Sequence, residues 1–333
     1  MKAAILLVNM KALGLLSGGL DSILAIELIQ NQGIDVVVIN FTSPFWNSDK
    51  NMNWIKEITK KLKVNLINVE LKENYLKIIR KPKYGYGKNM NPCIDCKILM
   101  LKKAKKIAKK MGVSFIFTGE VLGERPKSQN KKALEIIEKE AGLKGKILRP
   151  LSAKLLPETE AEKNGWVNRE KLLDIIGRKR EKQMKLAKKL GLEKYPNPSG
   201  GCLLTYKEFA NKVKDLFKHK KKVSIKDINL LKLGRHFRFG KNKIIVGRNE
   251  NENKQLLKMK LPEDYFFEVV GYGSPISILQ GPKTKEAIKK TASITTRYSD
   301  AKDKVKVKYY KKKIEKSLVV RPLSSKEIEK LRI

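Results

Sequence analysis

The chain has 333 residues, 41% of them hydrophobic and 32% charged, with a formal net charge of +40. That hydrophobic fraction excludes a disordered chain, and at roughly 100–200 residues per domain the length suggests about two packed domains. The charge excess attracts polyanions at long range. Nucleic acid, an anionic membrane and the surface of a generally basic organism all fit it; the lack of an outstanding amphipathic membrane helix favours nucleic acid.

Part of the charge has a plainer reading. A Lys-, Glu- and Ile-rich chain is usual in hyperthermophiles, where ion-pair networks cost less as temperature rises. No run reaches the roughly 18–20 apolar residues needed to span a bilayer, so no membrane partner is expected. The start, MKAAILLVNMKALGLLSGG, is interrupted by Lys11 and lacks a small-residue cleavage site, so no signal peptide is expected. Three cysteines, an odd number in a long chain, argue against a disulfide framework and for a reducing, cytoplasmic location.

The elements of the first half alternate in type. Ala12–Leu16 is a short apolar strand ending at glycine, and Leu20–Gln30 has helical spacing. Asp35–Phe41 (DVVVINF) is continuous and β-branched, as in a strand buried on both faces. Lys50–Leu62 reads as helix, Val64–Val69 as a third strand, Cys96–Met111 as a long basic helix and Ser114–Thr118 as a fourth strand. Lys127–Gly142 and Asn168–Leu190 read as further helices, separated by LRPLSAKLLPET with its turn prolines Pro150 and Pro157. YPNPSGGCL is expected to be irregular. The alternation predicts an α/β, Rossmann-like domain with a parallel sheet and ligands at the carboxyl ends of its strands. Beyond about residue 212 short strands such as Lys243–Val246 and Tyr265–Val270 alternate with helices. The expected division is a nucleotide-binding domain over 1–212 and a smaller, basic α+β domain over 213–333.

LLSGGLDS (Leu15–Ser22) lies between a strand and a helix. Gly18 and Gly19 let backbone approach a ligand, and the helix that follows offers unpaired N–H groups and a positive dipole end to phosphate. Ser17 and Ser22 add hydroxyls, and Asp21 can hold Mg²⁺ or orient the loop. The Gly-Lys-Ser/Thr ending of a Walker loop is absent, so γ-phosphoryl transfer is not implied. This segment resembles the signature of the PP-loop ATP pyrophosphatases. The resemblance implies ATP and Mg²⁺ as cofactors and adenylation of a carbonyl oxygen, with Asp21 among the catalytic residues. It also implies an adenine pocket beyond the second strand, near Asn40 and Thr42, and an ATP contact where Gly119 leaves the fourth.

Cys93 and Cys96 form NPCIDCK at a helix start, where the helix end and Lys97 are expected to stabilise thiolate; Cys202 follows in PSGGCLL. A structural zinc site normally has four ligands, and the two histidines, His219 and His236, lie far along the chain. A thioredoxin-type pair needs neither ATP nor a third cysteine. A sulfur-handling site uses all three cysteines together with the loop. With SGGLDS, the NPC-x-x-C-K and GGC-L segments resemble tRNA thiouridine synthetases, of the 2-thiouridylase and 4-thiouridine synthetase types. That resemblance covers roughly residues 11–210 and implies Cys96 and Cys202 as the sulfur-transfer pair. Cys93, where many of those enzymes carry Asp, points to the variant in which Cys93, Cys96 and Cys202 hold a 4Fe-4S cluster with one open iron. The implied partners are tRNA and a sulfur donor, either sulfide or a persulfide carrier protein.

GEVLGERPKSQ (Gly119–Gln129) follows the fourth strand, where Arg125 can bind phosphate and Gln129 can hydrogen-bond a nucleotide. GRHFRFGKNKIIVGRNENEN (Gly234–Asn253) is a basic hairpin in which Arg235, Arg238 and Arg248 can hold RNA phosphates. Phe237 and Phe239 fit base stacking and core packing equally. This segment and ASITTRYSDAK resemble the RNA-binding domain of NFACT proteins. Two other classes stay open: a PP-loop ligase acting on a small substrate, and a non-catalytic RNA-binding factor.

Overall fold

The computed structural model describes residues 10–46, 48–192, 195, 201–311 and 314–333, with only the backbone for 48–51. The expected leader-free start and most of YPNPSGGCL fall outside the described residues. The chain divides into two compact units, residues 1–205 and 206–333.

In the first unit β1 (Lys11–Leu15), β2 (Asp35–Thr42), β3 (Asn65–Glu70), β4 (Phe115–Thr118) and β5 (Ile147–Leu148) form one parallel sheet in the order β3-β2-β1-β4-β5. Its helices are α1 (Leu20–Gln30), α2 (Ser48–Lys61), α3 (Glu73–Arg80), α4 (Cys93–Met111), α5 (Lys131–Ala141), α6 (Glu160–Lys163) and α7 (Glu181–Lys189). The chain runs outward from β1 to β3, then returns to β4 on the other side of β1. The crevice between β1 and β4 is therefore the switch point at which such sheets bind ligands.

Sequence chemistry accounts for these choices. Val36, Val37, Val38 and Ile39 are all buried, which a strand covered on both faces requires. α1 is apolar nearly all round, with Leu20, Ile23, Leu24, Ile26 and Ile29 buried, and it packs inside the core rather than on its rim. Gly14 is dictated by packing, since a Cβ there would lie 2.5 Å from the Phe117 ring.

Three local expectations are corrected. Asn168–Leu190 is not one helix: Leu172 and Ile175 are buried, Leu173 and Ile175 donate to the carbonyls of Pro150 and Leu151, and Gly177 has a φ of 84°. Only Glu181–Lys189 is helical there. The helix expected from Lys127 starts at Lys131 because Asn130 caps it, accepting from Ala133 N at 2.9 Å. α4 starts at Cys93 rather than Cys96, which places both cysteines in its first turn. α3 and β5 carried no sequence expectation.

The second unit holds α8 (Lys207–His219), α9 (Ile225–Leu231), α10 (Glu250–Met259), α11 (Lys285–Arg297) and α12 (Ser325–Leu331). Residue 212, the expected limit of the first domain, lies inside α8. Its strands β6 (Arg235–Phe239), β7 (Asn242–Val246), β8 (Tyr265–Val269), β9 (Ser277–Gln280), β10 (Val305–Lys311) and β11 (Ile314–Val320) form an antiparallel sheet in the order β11-β10-β8-β9-β7-β6. One face packs Phe237, Ile244, Phe267 and Val307 with Ala287 and Ile294 of α11. Ile245 and Ile278 on the other face pack with Leu230 and Leu256 of α9 and α10.

Candidate functional site: a phosphate loop and three thiols

The SGGLDS loop leaves β1 at the switch point. Gly18 has a φ of 80°, a conformation that favours glycine. Its carbonyl accepts a 2.8 Å bond from the Trp54 indole, so α2 pins the loop from outside. Ser22 Oγ donates to Gly19 O at 2.7 Å and lies 3.3 Å from Ser17 N and Ser17 Oγ, while Gly19 N donates to Ser17 Oγ at 3.3 Å. Gly119 permits a close approach, because a Cβ there would lie 2.5 Å from Ser22 N and from Asp21 O. Asn40 is 3% exposed and donates to Leu16 O at 2.8 Å, which leaves its Oδ1 buried without a partner among the described residues. Thr42 ends β2, its carbonyl accepting from Leu71 N at 2.8 Å.

Asp21 is the electrostatic centre of the loop. Burial raises its carboxyl above the usual range, against the pull of the Arg180 and Arg125 charges. Its Oδ1 is buried with no hydrogen-bond partner among the described residues; the Oε1 and Nε2 of the fully buried Gln183 and the Nε of Arg180 are likewise unpaired. Burial also raises Glu124, with Asp21 adding to the effect and Arg125, Arg180 and Lys97 opposing it. Two carboxylates and several cations thus face one another where unpaired polar atoms accumulate, an arrangement suited to phosphates and a hard cation. Arg180 and Gln183 were not singled out as site residues by sequence reasoning. Their proximity to the loop is set by packing and leaves no local signal.

The cysteines converge beside this site. Cys202 forms an isolated antiparallel bridge with Trp46, just beyond β2, and Leu203 N donates to Phe45 O at 2.8 Å. The next residues are held from the other side: Met90 N donates to Leu204 O at 3.1 Å and Asn89 Nδ2 to Thr205 O at 2.7 Å. This fastens Cys202 to the segment that leads into Cys93. Asp95, between the two CxxC cysteines in sequence, accepts from Lys83 N at 2.8 Å and Tyr84 N at 3.1 Å. The thiols feel one another: Cys96 is influenced by Cys202 and Cys93, and Cys202 by Cys93.

The expectation of stabilised thiolates is corrected. Burial pushes Cys96 up to about 12 and Cys202 up to about 11, and it raises Cys93 as well. Lys97 opposes the shift at Cys93 and Cys96 but is itself ion-paired with Glu120. Glu120 joins a buried network through Arg149, at 3.1 Å, to Glu138. Desolvation works against the Glu120 carboxylate, yet Lys97 and Arg149 outweigh it and hold the group down at about 2. All three cysteines are free thiols, Cys96 buried and the others partly so.

Three thiols suit a cluster with one open iron. As placed, however, no three His, Cys, Asp or Glu side chains among the described residues stand in a metal-holding group.

The residues expected at RNA fall into two groups. Arg125 is exposed, and its charge acts on both Asp21 and Cys93. Gln129 is only 5% exposed, so it lies inside rather than on an RNA-facing surface. In the second unit each arginine has an internal partner. Arg235 stacks on Tyr298 at 4.6 Å, Arg238 Nε bonds Asp215 at 2.9 Å, and Arg248 Nε bonds Glu252 at 2.9 Å. Phe237 is core, with 0% exposure. Buried His236 is held neutral by burial, and its Nε2 donates to Leu233 O at 2.7 Å. No helix among the described residues is long and apolar enough to cross a membrane.

A parallel α/β sheet with a glycine loop at its switch point has the architecture in which such sheets bind ligands at the carboxyl ends of their strands. Residues 7–154 match the family described as thiamine biosynthesis protein (ThiI), and residues 234–332 match the NFACT protein RNA binding domain. The chain is 29% identical over 150 residues to a probable tRNA sulfurtransferase of Thermococcus kodakarensis, covering 42% of this chain and 36% of the relative. It is 32% identical over 150 residues to a protein of the same description from Thermoanaerobacter sp., covering 43% and 37%. It therefore spans little more than a third of these relatives' length. Among solved structures it is similar to a 4-thiouridine synthetase in complex with RNA and ATP, with a TM-score of 0.38 at 21% identity over 67% of this chain and 52% of that one. It is also similar to the U34-tRNA thiolase NcsA from Methanococcus maripaludis with its 4Fe-4S cluster, with a TM-score of 0.36 at 16% identity over 63% and 66%.

Proposed function

We propose that this chain is an ATP-dependent, cytoplasmic tRNA thiolase. ATP would supply an adenylyl group to a uracil carbonyl oxygen, pyrophosphate leaving; sulfur then attacks the same carbon and AMP departs. The observation that carries the reading is the reach of the Arg125 charge, which acts on both Asp21 of the phosphate loop and Cys93 of the thiol group. One cation thereby faces both the place where phosphate negative charge would gather and the place where sulfur would be delivered. Neither a ligase for small substrates nor a plain RNA-binding factor uses that juxtaposition.

The chain's own residues divide the work. Ser17, Gly18, Gly19 and Ser22 present the loop to phosphate, and Gly119 allows the approach of backbone. Asp21 and Glu124 would hold Mg²⁺, while Arg125 and Arg180 stabilise charge developing on the phosphorus oxygens. Asn40 and Thr42 border the base. With a persulfide donor, one of Cys96 and Cys202 takes the donor's outer sulfur as the donor thiol leaves. After that sulfur attacks the carbon, the other cysteine closes a disulfide that an external thiol reductant reopens. With sulfide, the sulfur keeps its oxidation level, and Cys93, Cys96 and Cys202 would instead hold the cluster that receives it. The second unit would dock tRNA through its lysine-rich surface rather than through Arg235, Arg238 and Arg248.

Mass spectrometry of tRNA nucleosides from a strain lacking the gene tests the reading. A thiouridine should disappear and return on complementation. An unchanged thionucleoside profile would overturn the proposal.

A further inference from the structure

A loop that cradles phosphate has to aim N–H groups at the anion and turn its carbonyl oxygens, which would repel it, elsewhere. Three carbonyls of the glycine loop are tied off in this way. Leu16 O accepts from Asn40 Nδ2 at 2.8 Å, Gly19 O from Ser22 Oγ at 2.7 Å, and Gly18 O from the Trp54 indole Nε1 at 2.8 Å. Asn40 belongs to the neighbouring strand and Ser22 to the loop motif itself. Trp54 comes from α2, outside the motif, where it is half-buried against the core cluster that holds Ile55 and Ile58. The peptide it holds is the one that most needs holding. Glycine stands on both sides of the Gly18–Gly19 bond, so this peptide can turn over with little steric penalty. Turned over, it would present the Gly18 carbonyl where the Gly19 N–H now lies. That N–H donates to Ser17 Oγ at 3.3 Å, a long bond that resists such a flip weakly.

We propose that Trp54 is a positioning residue of the phosphate loop: its indole N–H holds the Gly18 carbonyl toward α2 and so keeps the Gly18–Gly19 peptide in the orientation that accepts an anion. The proposal rests on the nucleotide half of the function given above and is independent of the route taken by sulfur. Two adjacent glycines make the loop able to approach a phosphate and equally able to reverse. The hydrogen bond from α2 selects one of the two states before the ligand arrives. Without it a share of the chains carries the reversed peptide, and apparent affinity falls by the competent fraction.

Two variants of the full chain separate the bond from the packing. Trp54→Phe keeps an apolar ring and removes the donor. Trp54→His gives up bulk but sets a ring N–H where the indole N–H stood, because the imidazole Nε2 takes the place of Nε1. Both are compared with the wild type at about pH 8, where the imidazole is neutral. Isothermal calorimetry with ATP and Mg²⁺ as the probe reads affinity and the fraction of competent chain separately, and thermal melting reads stability. Trp54→Phe should weaken ATP binding by about five- to tenfold at unchanged stoichiometry, the worth of one hydrogen bond. Trp54→His should bind within about twofold of the wild type while melting lower, since it leaves a cavity. A residue that only fills space gives the reverse order, with Trp54→His the weaker binder or with stoichiometry lost at constant affinity. That order, wild-type affinity in Trp54→Phe, or a wild-type chain that does not bind ATP would each overturn the proposal. A chain that shows the expected pattern with ATP and yet thiolates no tRNA refutes the function above and leaves the role of Trp54 standing.

Discussion

Cys202 pairs with Trp46 across an antiparallel bridge at the carboxyl end of the parallel sheet. A residue distant in sequence from the CxxC motif is thus tied to the loop after β2, and Leu204 and Thr205 are tied to the segment before α4. The thiol group is a product of this closure.

Asp21 contributes to function at the expense of stability. Burial raises its folded-state pKa, so the fold is favoured at low pH and loses that contribution as pH rises through the folded value. At neutral pH, Asp21→Asn should therefore melt at or above the wild-type temperature while pyrophosphate release falls by about 10²-fold. Calorimetry and a pyrophosphate assay check both halves. A stable variant with undiminished release would remove Asp21 from the site.

Glu120 behaves in the opposite sense. Its folded pKa of about 2 lies below the ordinary carboxylate value of 4.5. The stability it confers is present above that ordinary value and is lost as pH falls toward 2. Glu120→Gln should cost about 3 kcal/mol at pH 7, as breaking a buried pair does. The gap to wild type should close as pH drops through that window, which denaturant titrations at several pH values would show.

The cysteines separate two sulfur routes. Cys96→Ala and Cys202→Ala should abolish thiolation while pyrophosphate release persists. In the cluster route, anaerobically purified protein is brown with about four irons per chain, and Cys93→Ala loses both iron and activity. Cys93 is the third thiol that this route requires. Iron-free protein in which Cys93→Ala stays active would assign the persulfide route instead.

In the second unit Arg238 should matter for stability and little for RNA. Its pair with Asp215 is mostly shielded, at 18% and 11% exposure. Arg238→Ala should cost about 2 kcal/mol, between the values for exposed and buried pairs. Affinity for tRNA, measured well below the melting temperature, should change less than twofold. For the whole chain, log K against log salt should have a slope of roughly −4 to −5 for about six phosphate contacts. A flat salt dependence would contradict docking through the basic surface.

The sequence by itself determined what depends on neighbours along the chain. The phosphate loop was legible because glycines, hydroxyls and a following helix must be contiguous to cradle an anion. The parallel sheet was legible because a strand buried on both faces has to read as DVVVINF. α1 was located from Leu20 to Gln30 by spacing alone. What depends on packing was decided only in three dimensions. Nothing local distinguishes Gln183 or Trp54 from ordinary core residues until they face a carboxylate or a loop carbonyl. Arg238 looked free for phosphate because Asp215 of α8 becomes its partner only once the chain folds back on β6, whereas the Arg248 pair with Glu252, four residues on, is local. The thiols looked activated at a helix start, yet they are held protonated, because desolvation is a property of the closed fold and outweighs the local pull of Lys97.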